Sequence, residues 1–143
     1  MSLSGTYDDQ NIFAKIIAGD ASAIKIFEDE AIVAFMDIFP QSLGHCLVVP
    51  KESARNLLDL SDEMAATAIQ RVKSIAKAVE LALEPDGIVV TQFNGAPAGQ
   101  TVFHIHFHII PRWANKTLGR HAGEKADMDK LAAQAKKISS FLN

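Results

Sequence analysis

Apolar residues recur along the chain at two different spacings. Ile12, Phe13, Ile16 and Ile17 share the face of one short helix. Asp8, Asp9, Gln10 and Asn11 offer capping side chains before it, and Gly19 ends it. Ala23 to Glu28 and Ala31 to Ile38 are β-branched and aromatic runs on either side of the turn Glu28-Asp29-Glu30, which predicts a hairpin. Pro40 to Gly44 breaks the pattern. His45 to Val49 reads as a third strand stopped at Pro50. Ser61 caps a long helix, with Asp62 and Glu63 in its favourable first turn. Met64, Ala68, Ile69, Val72, Ile75, Ala76 and Val79 carry that helix to about Leu83, and Pro85-Asp86-Gly87 ends it. Gly87 to Phe93 predicts a strand, Asn94 to Gln100 a glycine-rich loop, and Thr101 to Ile110 a further strand. Asp127 opens a terminal helix with Met128, Leu131, Ala135 and Ile138 on one face.

Strands and helices are mixed and most strand links are short. That favours an α+β fold with an antiparallel sheet of about five strands, one long packed helix and a C-terminal helix. No Pro/Gly/Ser-rich linker or internal repeat divides the 143 residues, so one domain over 1–143 is expected. Apolar residues make up 48% of the chain, enough to fill a core.

A net charge of -3 gives no basic face for a nucleic acid backbone, so no nucleic acid partner is expected. A small nucleotide, held by a few local donors, is not excluded by that charge. Cys46 is the only cysteine, which rules out an internal disulfide framework and a multi-cysteine metal site. A reducing, cytoplasmic setting is the natural expectation. No apolar run is long enough for a membrane span, and no basic start followed by an apolar stretch suggests a secretory signal.

The chemistry concentrates in His104-Ile105-His106-Phe107-His108-Ile109-Ile110, which holds three of the five histidines. Side chains alternate along a strand, so the imidazoles share one face, roughly 6.6 Å apart at the root from a ~3.3 Å rise per residue. Ile105, Phe107 and Ile109 take the other face. Three readings compete. Idle strand histidines would repel one another when charged. A metal site lacks a nearby carboxylate, because none follows the cluster before Glu124. Nucleophilic catalysis suits an imidazole that is neutral near pH 7. The mechanism predicts activity falling at acid pH as the attacking imidazole takes up a proton, so a rate that stays flat from pH 8 down to about 5 would count against it.

The segment resembles the signature of the histidine triad (HIT) family, His-φ-His-φ-His-φ-φ with φ apolar, at every position. The likeness extends to Asn11–Ile17, to Ile26–Asp29 and Ala34–Ile38, to Pro40–Lys51 with its own His45, and to Asn94-Gly95 and Gly99–Val102. The resemblance implies hydrolysis of a purine nucleotide at its α-phosphate, with phosphoramidates or acyl-adenylates as substrates and no cofactor. His106 would form a covalent nucleotidyl-histidine, its second ring nitrogen held by a backbone carbonyl. His108 would donate to a phosphate oxygen, and His104 would stack with His45. Thr101 would bond the leaving group, and Asn94, Gly99 and Gln100 would contact phosphate. Asp37 would hold the ribose, with Phe13, Ile16 and Phe35 lining a base-sized slot.

Alternatives inside that resemblance are dinucleoside polyphosphate hydrolysis and nucleotidyl transfer; a nucleotide-binding regulator is a third. Family members pair as homodimers by joining their sheets, and the apolar stripe of the 62–83 helix can face either a core or a partner. Many members carry a zinc-binding Cys-x-x-Cys near the opening helix. Asn11 and Ala14 stand there in this chain, so no metal is expected. The stretch Pro111–Asn115 departs from the tail of the purine phosphoramidase branch, and the terminal helix is more like that of bacterial members.

Overall fold

The computed structural model describes residues 3–121 and 123–142; Met1, Ser2 and Asn143, the ends of the expected 1–143 unit, lie outside them. Helix α1 spans Ile12–Ala18 and is followed by strands β1 (Lys25–Glu28), β2 (Ile32–Met36) and β3 (Cys46–Pro50). The long helix α2 (Asp62–Leu83), strands β4 (Gly87–Thr91) and β5 (Phe107–Arg112), and helix α3 (Met128–Ser139) complete the order. The strands form one sheet in the order β1-β2-β3-β5-β4, and every pairing is antiparallel. The α+β architecture predicted from the pattern is the one observed.

The predicted caps form. Asn11 Oδ1 accepts from the Ala14 amide at 2.9 Å, and Gly19 adopts φ 85 to close α1. Ser61 Oγ accepts from the Met64 amide at 3.1 Å, and Asp127 accepts from Asp129 and Lys130. Among the described residues, no helix is long and apolar enough to cross a membrane.

Period-two alternation divides the sheet into two apolar layers. Ile32, Ala34, Met36, Cys46, Val48, Phe107 and Ile109 pack with Val72, Ile75 and Val79 of α2 and Leu131 and Ile138 of α3. Val33, Phe35, Leu47 and Val49 point the other way, where Phe13 and Ile16 of α1 cover them. The smaller helix leaves part of that second face open, and the cleft lies there. Gly44 turns the β2–β3 loop against α2: its φ is 82, and a Cβ would collide with Leu83.

One predicted strand begins later than its apolar pattern suggested. β5 starts at Phe107, so Thr101 to His106 lie outside the ladder. The partner explains the difference. Val48 pairs with Phe107, and two residues further along β3 comes Pro50, which has no N–H to give. The Ile105 amide instead donates to Ala54 O at 2.9 Å. The alternation nevertheless continues through the irregular part, because Ile105 is fully buried in the same layer as Phe107 and Ile109.

Candidate active site

Leu47 of β3 and Thr91 of β4 flank His108 across the sheet, which fixes His108 on the open face. His106 follows the same alternation one step earlier and meets Phe13 of α1 edge-on, with ring centroids 4.9 Å apart. Both imidazoles line a cleft of about 260 Å³ together with Phe13, Ile16, Phe35, Asp37 and Thr101. Its apolar side is α1 and β2, and its polar end is the histidine pair.

Hydrogen bonds fix the tautomers. His106 Nδ1 lies 2.7 Å from the carbonyl oxygen of His104, which can only accept, so Nδ1 carries the proton. Nε2 of His106 therefore keeps its lone pair on the cleft side. A longer chain sets His108. The backbone amide of Gln41 donates to His45 Nδ1 at 2.9 Å, which places the His45 proton on Nε2. That Nε2–H donates to His108 Nδ1 at 2.9 Å, and His108 in turn carries its proton on Nε2. His108 Nε2 is buried and has no partner among the described residues, so it is a donor held ready in the cleft. The rings of His106 and His108 are 5.1 Å apart.

His104 is turned away from the cleft. Its Nε2 donates to Pro50 O at 2.7 Å, and its Nδ1 accepts from the Tyr7 hydroxyl at 2.6 Å. The Tyr7 oxygen accepts in turn from Asn11 Nδ2 at 3.1 Å. This corrects the expected stacking of His104 on His45: His45 partners His108, and His104 is the anchor whose carbonyl orients His106. Asn11 caps α1 and steadies Tyr7 at once.

Three other expected contacts are committed elsewhere. Gln100 is buried, its Oε1 accepting from the Gly95 amide and its Nε2 donating to Arg55 O and Val102 O. Asn94 Oδ1 accepts from the Leu57 amide and from Gln92 Nε2. Gly99 donates its amide to Ala96 O. These residues shape the loop and do not line the cleft. The seven-residue loop 94–100 must satisfy its backbone once it is packed, and these bonds do so within the loop and to its neighbours.

Burial dominates the electrostatics. It lowers the pKa of His106 to about 4, against the donation to His104 O that favours the charged form. It lowers His45 to about 4 and His108 to about 2, with the neighbouring imidazoles adding repulsion. His104 is lowered for the same reason. The cluster is therefore neutral at physiological pH, and this corrects the expected acid loss between pH 8 and 5: burial holds the His106 pKa at about 4, so the loss moves to lower pH. Asp37 is raised, chiefly by burial, although the Phe39 amide donates to its Oδ1 at 2.8 Å. Its Oδ2 lies 3.4 Å from His45 Nε2, but a neutral His45 that already donates to His108 makes this no ion pair. Asp37, His45 and His108 hold ligand-type atoms within 4.8 Å of one another. A cation there would have to replace the His45–His108 proton, and two nitrogens at 2.9 Å are in hydrogen-bond contact, tighter than the edge of a tetrahedral zinc site.

Sequence reasoning missed Tyr7, Gln41 and His121. Tyr7 and Gln41 act through contacts that no local pattern encodes. His121 carried one faint signal, as the remaining histidine in a chain whose other four cluster.

An antiparallel sheet that presents one imidazole lone pair and one imidazole N–H into a half-apolar cleft defines a nucleophilic or acid–base site. The comparisons name it more closely: residues 18–115 match the HIT domain, and the chain belongs to the HIT family. It is 46% identical over 101 residues to the adenosine 5'-monophosphoramidase hnt1 of Schizosaccharomyces pombe, covering 71% of this chain and 73% of that one. It is 35% identical over 137 residues to the adenylylsulfatase HINT3 of Arabidopsis thaliana, covering 92% of this chain and 68% of the relative. The crystal structure of a HIT-like protein from Bartonella henselae superposes with a TM-score of 0.92 at 46% identity, over 96% of this chain and 100% of that one.

Proposed function

We propose that this HIT-family enzyme hydrolyses a purine nucleotide at its α-phosphorus, acting on phosphoramidates or acyl-adenylates through a covalent His106 intermediate. The observation that carries the reading is the pair of opposed tautomers. His106 offers a lone pair and His108 offers an N–H in one cleft, each fixed by a neighbour. Nε2 of His106 bonds to phosphorus as the bond to the leaving group breaks, and the leaving atom takes that electron pair. Water then attacks the same phosphorus and releases the nucleotide and the free imidazole. His108 Nε2–H donates to a phosphate oxygen as charge builds there. Phe13, Ile16 and Phe35 enclose the base, Asp37 accepts from the ribose hydroxyls, and Thr101, which lines the same cleft, bonds the leaving group.

The test is a panel of adenosine and guanosine phosphoramidates, acyl-adenylates and dinucleoside polyphosphates, read by turnover and by intact mass. A nucleotide adduct that vanishes in His106→Asn while binding persists supports the reading. Binding without turnover of any panel member favours a regulator.

A homodimer is also proposed, through β4. Among the described residues that strand pairs only with β5 and leaves its far edge open, with Val89 and Val90 exposed on it. An apolar open edge is a template for a second strand.

A further inference from the structure

His121 lies on the segment between β5 and α3, and that segment is fastened to the β2–β3 turn. The Gly119 amide donates to Gln41 O at 2.7 Å, and Gln41 Nε2 donates back to Gly119 O at 3.1 Å. Further on, the Ala126 amide donates to Ile38 O at 2.9 Å. The first contact suits glycine, since a Cβ at Gly119 would stand 3.1 Å from Gln41 O. Gln41 is also the residue whose amide sets the tautomer of His45, so the segment and the histidine relay hang from one turn.

Between these fastenings His121 faces the same cleft as His106 and His108. Its ring stands 5.6 Å from that of His108 and 5.5 Å from that of Phe93. Both of its nitrogens are buried, and neither has a partner among the described residues. Buried polar atoms are ordinarily satisfied, and a ring left unsatisfied in a cleft points to a ligand that completes it. Under the proposed function the apolar wall takes the base, Asp37 the ribose, and His106 and His108 the phosphate, while Thr101 is a first contact to the leaving group. His121 stands beside His108, the residue proposed to hold a phosphate oxygen, and beside Phe93.

We infer that His121 is a substrate-contacting residue that meets the leaving group and donates an N–H to its departing atom. The inference rests on the nucleotide hydrolase reading above. As the bond from phosphorus breaks, the departing atom gains electron density, and a fixed donor there lowers the barrier most for leaving groups that carry such charge badly.

The experiment uses the full chain and adenosine 5'-phosphate aryl esters whose phenols span a range of acidity. Wild type, His121→Ala and His121→Gln are compared by kcat/KM, with AMP affinity measured in parallel. His121→Ala is expected to lose about tenfold or more on the least acidic phenol and much less on the most acidic, so its leaving-group dependence steepens. His121→Gln, which keeps an N–H, restores part of the loss. AMP lacks a leaving group, so its affinity stays within about twofold of wild type, well under the tenfold that 1.4 kcal/mol represents. A parallel loss across the series, no loss, or an equal loss of AMP affinity overturns the inference. Absence of wild-type turnover on every ester overturns the hydrolase reading and this inference together. Turnover that depends on His106 but has an unchanged slope in His121→Ala overturns this inference alone.

Discussion

His45 Nε2 and His108 Nδ1 share one proton across 2.9 Å, and that contact decides what His108 can do. With the Gln41 amide holding the opposite side of His45, the only free proton of His108 points into the cleft. His45→Ala leaves His108 able to flip its tautomer and swing. We predict a fall in kcat of up to about 100-fold, the scale of misplacing a group near the chemistry, with KM changed far less. Steady-state kinetics on one phosphoramidate checks the split; a change confined to KM would place His45 in binding instead.

The four buried imidazoles make stability sensitive to acid. Their folded pKa values lie below the ordinary 6.5, at about 4 for His106 and His45, about 2 for His108, and lowered for His104. Between these values and 6.5 the unfolded chain binds more protons than the folded one, so stability rises with pH across that window. It is fully present above pH 6.5 and falls progressively as pH drops toward 4. Thermal melts from pH 8 to 4 should show a plateau and then a decline. Over the range where the fold survives, kcat/KM should stay level from pH 8 to about 5, because His106 keeps its lone pair. A loss of activity centred near 6.5, with no unfolding, would mean that His106 titrates as an exposed imidazole.

Tyr7 offers a separate probe of how His106 is aimed. Its hydroxyl clamps the His104 ring from one side while Pro50 O holds the other, and the His104 carbonyl receives the His106 proton. Tyr7→Phe keeps the edge-on ring contact but leaves His104 Nδ1 without its donor. The expected cost is about 1 kcal/mol, or a few degrees of melting temperature, with a modest fall in kcat. Unchanged stability and unchanged kcat would show that Pro50 alone suffices to hold His104.

The core was legible in the chain because alternation and helical spacing are local. Ile32, Ala34 and Met36 alternate with Val33 and Phe35, and the structure buries the two sets on opposite faces. The partnership of His45 was not legible, because it depends on register. Leu47 stands opposite His108 in an antiparallel pair, so stepping back from Leu47 to His45 moves away from His104. Nothing in the sequence states that register. The start of β5 was misplaced for a similar reason: its apolar pattern runs through Ile105, but the ladder ends where Pro50 of the neighbouring strand has no donor. Gln100 and Asn94 looked like ligand contacts because polar loop residues serve both purposes, and only packing shows that theirs is to hold the loop.

The open edge of β4 makes the homodimer testable. Val90 is 45% exposed on a strand with one neighbour. Val90→Lys places a charge where a second sheet edge would dock, which natural edges use to prevent pairing. Sedimentation should show a dimer for wild type and a shift toward monomer for the variant. A monomeric wild type at micromolar concentration would remove the proposal.

Asp37 permits a sharper test, because its two oxygens have different surroundings. Oδ1 accepts from the Phe39 amide at 2.8 Å and holds the turn after β2. Oδ2 faces the cleft side near His45. Asp37→Asn keeps an acceptor for Phe39, so the turn survives, but it removes the carboxylate proposed to bind the ribose. Hydrogen bonds to a charged group contribute about 1.5 to 3 kcal/mol, so KM for a ribonucleotide substrate should rise by about tenfold or more while kcat changes little. The 2'-deoxy substrate should show a similar defect with the wild-type enzyme and little further loss with Asp37→Asn. Independent, additive losses would mean that the carboxylate and the 2'-hydroxyl never meet.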